Sequence, residues 1–178
     1  MSVNQDAETY TAFSGARRLV SGPLAIASAA AQAEAEAGAT HLVILSDQTG
    51  RAVDPAATPQ APSPQEKPAR GRPKLGVTAR EVTLLPRHWD WLATQPGGAS
   101  AALRRLVDTA RRDNLDADQA RQAQEALHRA MTVLAGDLPG YEEALRSLYS
   151  GDRERFDGLT AAWPIDIANY LHKLSGRG

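Results

Sequence analysis

Residues 54–74 read DPAATPQAPSPQEKPARGRPK, and this stretch divides the chain into two parts. It holds six of the eleven prolines and no aromatic residue. Because proline removes a backbone donor and fixes φ, we expect an extended, semi-stiff linker rather than a folded element. We therefore predict a small unit over residues 1–54 and a Pro-rich linker over residues 55–75.

The first 54 residues carry the pattern of a small α/β unit. Short runs at Tyr10–Ser14 and Arg17–Val20 predict two strands around Gly15, and the apolar run His41–Ser46 predicts a third. Between them lies an Ala-rich helix, for which we predict Gly22 as N-cap, Pro23 as first residue, a body over Leu24–Ala37 and an end at Gly38. A short strand at Arg51–Asp54 could follow. A unit of roughly fifty residues has a marginal core, so we expect it to pack on a partner or on the rest of the chain.

The chain after the linker is mostly helical in pattern. We predict a short strand over Gly76–Leu85, a helix over Pro86–Ala93 and a second helix capped by Ser100, in which apolar residues recur at Leu103, Leu106, Val107 and Ala110. A longer helix opens at Asp116 or Asp118, and shorter helices follow, broken at Gly151 and Pro164. The predicted class is α+β, with a strand-helix-helix segment at 76–112 and a helical region at 113–178.

The net charge of −1 conceals an uneven distribution along the chain. Residues 66–112 carry ten basic and four acidic side chains, a net charge of +6, whereas both flanking segments are acidic. Such a polarised chain indicates an anionic partner for its middle segment, for which nucleic acid is the leading candidate. Alternatively, the basic and acidic segments face each other within the fold.

Two blocks of the middle segment match a known DNA-binding unit. Arg80–Pro86 provides a strand and a helix start, and Gly98–Val107 provides a turn and a second helix. The passage Arg70–Arg112 thus resembles a ribbon-helix-helix unit. In that family, strands from two chains pair into a ribbon in the major groove, and the second helix begins at a phosphate and packs across the dimer. The resemblance implies a homodimer with backbone donors at Gly98, Ala99 and Ser100 on phosphate.

The predicted strand departs from the family in the alternation of its side chains. Thr83 and Glu81 share a face with Leu85, whereas apolar residues are expected there, and the other face carries Leu84, Val82, Arg80 and Thr78. Either a bulge shifts the register by one residue, which would expose Thr83, Glu81 and Ala79, or the strand is purely structural.

Immediately upstream, Arg70-Gly-Arg-Pro73 is followed by Lys74 and is similar to the core of an AT-hook. Such a peptide lies along the narrow minor groove of A·T-rich DNA, where glycine lets the backbone approach the floor and the two arginines spread along the groove. Because Arg, Gly and Pro are also ordinary linker residues, a purely solubilising role is the alternative.

Several blocks distributed along the chain carry a further resemblance: Gly71–Gly76, Arg80–Trp89, Pro96–Ser100, Glu142–Arg146, Arg155 with Phe156, and Ala162–Pro164. Over most of its length the chain resembles a family of uncharacterised bacterial proteins known as a domain of unknown function. The resemblance implies a bacterial source and one continuous architecture, and it brings no activity with it.

No pattern of catalytic or metal-binding residues stands out. The absence of cysteine excludes disulfides, thiolate zinc sites and cysteine nucleophiles. The four histidines are scattered over different predicted elements, at His41, His88, His128 and His172. We expect no enzyme, no cofactor and no bound metal. With no apolar run near 18 residues and no signal-peptide pattern, we expect a cytoplasmic protein without membrane segments.

These patterns together predict a DNA-binding protein, of the kind that regulates transcription, that acts as a homodimer through residues 67–112. The expected contacts to DNA, with a preference for A·T-rich sequence, come from Arg70, Gly71, Arg72, Lys74, Arg80, Gly98, Ser100, Arg104 and Arg105. Trp89 and Trp91 are either base-stacking platforms or, as we favour, core or interface residues. The competing class is a non-catalytic module that binds another protein.

Overall fold

The computed structural model describes residues 8–54, 78 and 80–177. The strands are β1 (Tyr10–Ser14), β2 (Arg17–Gly22), β3 (Leu42–Ser46) and β4 (Ala52–Val53). The helices are α1 (Leu24–Glu36), α2 (Pro86–Ala93), α3 (Gly98–Asp113), α4 (Leu115–Ala135), α5 (Tyr141–Ser150), α6 (Arg153–Thr160) and α7 (Ile165–His172), followed by a π-helical turn at Lys173–Arg177. A small sheet followed by a mostly helical region confirms the predicted α+β class.

The described residues fall into two compact units. The first contains residues 8–54 and 119–177, so that the N-terminal sheet and the C-terminal helices share one unit. The second contains residues 78 and 80–118, with the helices α2 and α3.

The sheet of the first unit is antiparallel, with the strand order β2-β1-β3-β4. Successive side chains of a strand point to opposite faces. On one face, Ala12 and Ile44 pack with Ala27 and Ala31 of α1, where small side chains allow a close approach. On the other face, Phe13 and Leu45 pack in a core built by the C-terminal helices. The members of that core in α4 to α7 and in the connection before α7 include Leu127, Met131, Phe156, Trp163, Ile167, Tyr170 and Leu171.

The second core confirms the expectation that the small N-terminal unit packs on the rest of the chain. Phe13 and Tyr170 meet edge to face, with ring centroids 5.2 Å apart. The edge strand β2 also contacts α7, because the Arg18 N–H donates a hydrogen bond to the Asp166 carboxylate at 2.9 Å. The sheet therefore gains from α4 to α7 the burial that its own length could not provide.

The ends of the short helices follow local signals in the sequence. Gly38 has a φ of 96° and ends α1 in a Schellman arrangement, in which Ala39 N donates to Glu34 O and Gly38 N donates to Ala35 O. Gly151 has a φ of 73° and ends α5, and the Asp152 side chain then caps α6 by accepting from Arg155 N. The predicted breaks at Gly151 and Pro164 are confirmed.

Three local predictions are wrong. The short strand expected over Gly76–Leu85 is not found in its described part: residues 80–85 form no strand, since no described strand of the chain pairs with them. Ser100 is not an N-cap, because α3 already begins at Gly98 after Gly97. In α1 the N-cap is Pro23 rather than Gly22.

Candidate functional site

The second unit is built on the pair of helices α2 and α3. Pro86 occupies the first position of α2, where its missing N–H is harmless. The chain reverses at Gly97 and Gly98, whose φ values of 82° and 74° are open to glycine and strained for other residues. Where the two helices pack, Leu92 and Ala102 are buried. The turn is held by Arg105, whose Nη2 donates to Pro96 O at 3.0 Å.

Much of the apolar surface of this helix pair remains exposed. In α3 the predicted apolar face is Leu103, Leu106, Val107 and Ala110, yet Leu106 is 48% exposed and Val107 is 54% exposed. Four large apolar side chains before and within α2 are also exposed, namely Val82, Leu85, Trp89 and Trp91. An amphipathic helix normally buries its apolar face. This set, Val82, Leu85, Trp89, Trp91, Leu106 and Val107, is called the apolar surface below.

Basic side chains lie beside the apolar face of α3. Arg104 and Arg111 are seven residues apart and share the side of the helix next to the apolar face, whereas Arg105 and Arg112 share the opposite side. All four are exposed. Arg112 Nε also donates to Asp108 O at 3.2 Å, and Arg105 is engaged at the turn. Of the two arginines of α3 that were predicted to contact DNA, Arg104 is therefore better placed than Arg105 to bind an anion.

The start of α3 offers backbone donors of the predicted kind in part. Gly98 N–H is already used, because it donates to Gln95 O at 3.0 Å. The N–H groups of Ala99 and Ser100 belong to the first helical turn, whose donors have no carbonyl partner within their helix. These donors and the positive end of the helix dipole favour an anion at this position.

The structure brings Gly98, Ser100, Arg104 and Arg105 onto one helix, α3. Arg80 is exposed and precedes α2 in the same unit. Four predicted residues, Arg70, Gly71, Arg72 and Lys74, lie outside the described residues. The expectation that Trp89 and Trp91 are core residues is wrong for the single chain, where they are 42% and 51% exposed, so that an interface is the role left from that interpretation.

A polar cluster in the first unit escaped the sequence analysis. Asp47 directly follows β3, and its side chain is only 7% exposed. It accepts hydrogen bonds from Thr9 at 2.9 Å, from Thr11 at 2.8 Å and from Lys173 Nζ at 2.8 Å. Burial alone would raise the pKa of the Asp47 carboxyl, but hydrogen bonds from Lys173, Thr11 and Thr9 hold that pKa below its usual value.

Burial and the neighbouring Asp47 carboxylate together raise the pKa of the Tyr170 phenol well above its usual value. The phenol therefore stays protonated, and the arrangement ties the sheet to the end of α7. The cluster is a structural contact between the sheet and the end of α7, and no sequence motif indicates it, because Asp47 and Lys173 are 126 residues apart.

Two kinds of site are not found in the described part of the chain. No group of three or more His, Asp or Glu side chains there could hold a metal ion. No helix within the described ranges is long and apolar enough to cross a bilayer.

Comparison with known families identifies a family that covers nearly the whole chain, and it assigns no role to individual residues. Residues 9–175 match the model of a family described as an uncharacterised protein conserved in bacteria, DUF2239. The chain belongs to the DUF2239 family. Because the match runs from β1 to the terminal π-helical turn, both units belong to one DUF2239 match. No curated protein and no solved structure matches the chain.

Proposed function

We propose that this protein binds DNA as a homodimer through residues 67–112 and acts as a regulator of transcription. The observation that carries the proposal is the surface of α3. There, exposed arginines lie beside an apolar face that the single chain leaves uncovered.

The charge of the segment supports an anionic partner. Residues 66–112 carry a net charge of +6 in a chain of net charge −1. Arginine side chains that neutralise phosphates release condensed counterions and thereby supply most of the sequence-independent affinity for DNA. Arg104 and the N–H groups of Ala99 and Ser100 are proposed to hold the phosphate backbone, and Arg70 and Arg72 are proposed to enter an A·T-rich minor groove.

A second copy of the chain is the proposed partner of the apolar surface. In ribbon-helix-helix proteins the second helix packs across the dimer, and the corresponding residues here, Leu106 and Val107, are about half exposed. Residues 80–85 likewise have no strand partner within the described chain, and Leu85 has an extended backbone with φ −67° and ψ 150°. A two-fold dimer would supply an identical apolar face and a second copy of residues 80–85, with which this segment would form the strand that the single chain lacks.

The test is fluorescence anisotropy of A·T-rich and G·C-rich duplexes with the full chain across a salt series. The proposal predicts binding that prefers the A·T-rich duplex and weakens linearly in log–log form as salt rises, with a slope that counts the neutralised phosphates. Absence of binding at low salt would remove the DNA function.

A charge-matched pair of variants separates groove binding from general electrostatics. Arg70→Glu with Arg72→Glu is expected to abolish binding. The control is Arg153→Glu with Arg155→Glu, which has the same spacing and the same change in net charge. Both control residues are exposed in the first turn of α6, where acidic residues are tolerated by the helix dipole. Equal loss in both pairs would contradict a specific role for Arg70 and Arg72.

The second candidate function is binding of another protein by the apolar surface. The exposure of Trp89 and Trp91 favours it, because tryptophan is enriched at the centres of protein interfaces. Under this alternative, Arg70→Glu with Arg72→Glu leaves partner binding unchanged, whereas Trp91→Ala removes it.

A further inference from the structure

The first unit contains a cavity of about 520 Å³ that neither the DNA function nor the family accounts for. It lies between the first half of α4, the end of α5 and the start of α6, and Ser175 of the π-helical turn contributes to its wall. A volume of this size is typical of sites for small organic molecules.

The interior of the cavity is mainly apolar. Leu127 and Phe156 line it and are almost fully buried, at 3% and 5% exposure. Ala120 and Ala123 keep one wall open because their side chains end at Cβ. Gln124 also lines the cavity. Its Nε2 donates a hydrogen bond to Leu148 O at 2.9 Å, so this amide holds the wall together. An apolar body of roughly ten heavy atoms fits such a space.

The charged groups at the cavity are not equivalent. Asp152 is committed to capping α6, since Oδ1 accepts from Arg155 N at 3.1 Å. Asp157 faces His172, whose Nε2 is 3.6 Å from Oδ1. Arg153 lies on the same helix and lines the cavity, and among the described residues no hydrogen bond or ion pair involves its guanidinium. Arg121 also lines the cavity but already takes part in another interaction, so Arg153 is the charged group of the wall most available to a ligand.

From this arrangement we infer that the cavity binds a small organic acid, with its apolar body against Leu127 and Phe156 and its carboxylate paired with Arg153. A guanidinium holds a carboxylate through two parallel charge-assisted hydrogen bonds, which fixes the orientation of the ligand. The site is independent of the proposed DNA function, because every lining residue belongs to the first unit.

The test is isothermal titration calorimetry of the full chain with decanoate and 1-naphthoate, each paired with its uncharged alcohol, decan-1-ol or 1-naphthalenemethanol. The wild-type chain is expected to bind at least one acid more tightly than its alcohol. Arg153→Gln is expected to weaken the acid by about tenfold and to leave the alcohol unchanged, as for loss of one charge-assisted contact. Arg155→Gln is the matched control on the same helix, and it does not line the cavity.

The location of binding is checked with single cysteines, because the natural chain has none. Ala123→Cys puts a thiol at the cavity wall, and Ala110→Cys puts one beside the apolar surface. The bound acid is expected to slow alkylation at position 123 and to leave position 110 unaffected. Failure of both acids to bind, equal effects of Arg153→Gln and Arg155→Gln, or protection at position 110 alone would each overturn the proposal. None of these outcomes bears on DNA binding, which anisotropy measures separately.

Discussion

The Lys173 ammonium donates a hydrogen bond to the Asp47 carboxylate at 2.8 Å, across 126 residues of sequence. Lys173 follows α7, and Asp47 follows β3, so that the contact joins the residues that directly follow these two elements. Thr9 and Thr11 complete the shell around the same carboxylate. The tie holds a buried charge that would destabilise the fold if it were left alone.

The Asp47 tie predicts a specific pH dependence of stability. Its pKa is lowered in the folded state, so ionised Asp47 stabilises the fold above the usual carboxyl pKa, and this stabilisation is lost as the pH falls through the lowered value. Asp47→Asn should reduce the free energy of unfolding by about 1–3 kcal/mol at pH 7. It should also flatten the decline of stability below about pH 4. Urea unfolding across this range measures both effects.

The control for that experiment is Asp137→Asn, at an exposed position just after α4. We expect its unfolding curves to overlay those of the wild type at neutral pH. If the free energy of unfolding of Asp47→Asn declined with falling pH as steeply as that of the wild type, protonation of Asp47 would not cause the acid destabilisation.

Gly50 is a position at which a side chain cannot be accommodated. Its φ is 64°, and an added Cβ would collide with the backbone carbonyl of Ala126 in α4. Both the strained backbone and the overlap oppose substitution, so Gly50→Ala should lower the free energy of unfolding by about 3 kcal/mol.

The control variant is Gly158→Ala, because a new Cβ at that exposed site in α6 would have no atom within 4 Å. There alanine should stabilise the protein by about 0.5–1 kcal/mol through helix propensity. Thermal or urea unfolding of the two variants gives opposite signs if the packing is as described.

The homodimer proposal predicts that charge on the apolar face of α3 separates the subunits. Leu106→Glu with Val107→Glu should convert a dimer to a monomer in sedimentation-velocity experiments. Stability of the single chain should change little, since these side chains are 48% and 54% exposed there. Ile165→Glu introduces charge at a side chain that is 70% exposed in the other unit, and it should leave the association state unchanged. A wild-type chain that sediments as a monomer at high concentration would contradict the dimer.

Arg104 and Arg105 are neighbours with different predicted consequences. Arg104→Gln should weaken binding to all duplexes alike and lower the log–log salt slope by about one, as expected for one phosphate contact. Arg105→Gln removes the hydrogen bond to Pro96 O that holds the turn between α2 and α3. We therefore expect it to lower the stability of the helix pair as well, by about 1 kcal/mol, which amide hydrogen exchange on α2 and α3 can measure.

Local patterns were sufficient for most of the secondary structure. The four strands from Tyr10 to Val53 and the helix ends at Gly38 and Gly151 were predictable, because alternation, proline and glycine act on the backbone within a few residues. The buried C-terminal side chains, such as Phe156, Trp163 and Leu171, were predictable from helical spacing. The start of α3 at Gly98 was missed, because two consecutive glycines in a left-handed conformation displaced the expected cap at Ser100.

The candidate DNA interface was predictable in part. The sequence identified the basic segment and the apolar spacing of α3, because both are written in neighbouring residues. It did not reveal that Leu106, Val107, Trp89 and Trp91 are exposed in the single chain, since periodicity specifies that a face is apolar without specifying what covers it.

The sequence by itself determined the class of the fold and the positive charge of the middle segment, because both depend on composition and short-range pattern. Only the tertiary structure decided that Phe13 and Leu45 share a core with Tyr170, that Asp47 meets Lys173, and that a cavity opens beside Arg153. These relationships join residues far apart along the chain. They arise when apolar faces of the sheet and helices are buried together, a free-energy gain of the whole packed unit that no local pattern encodes.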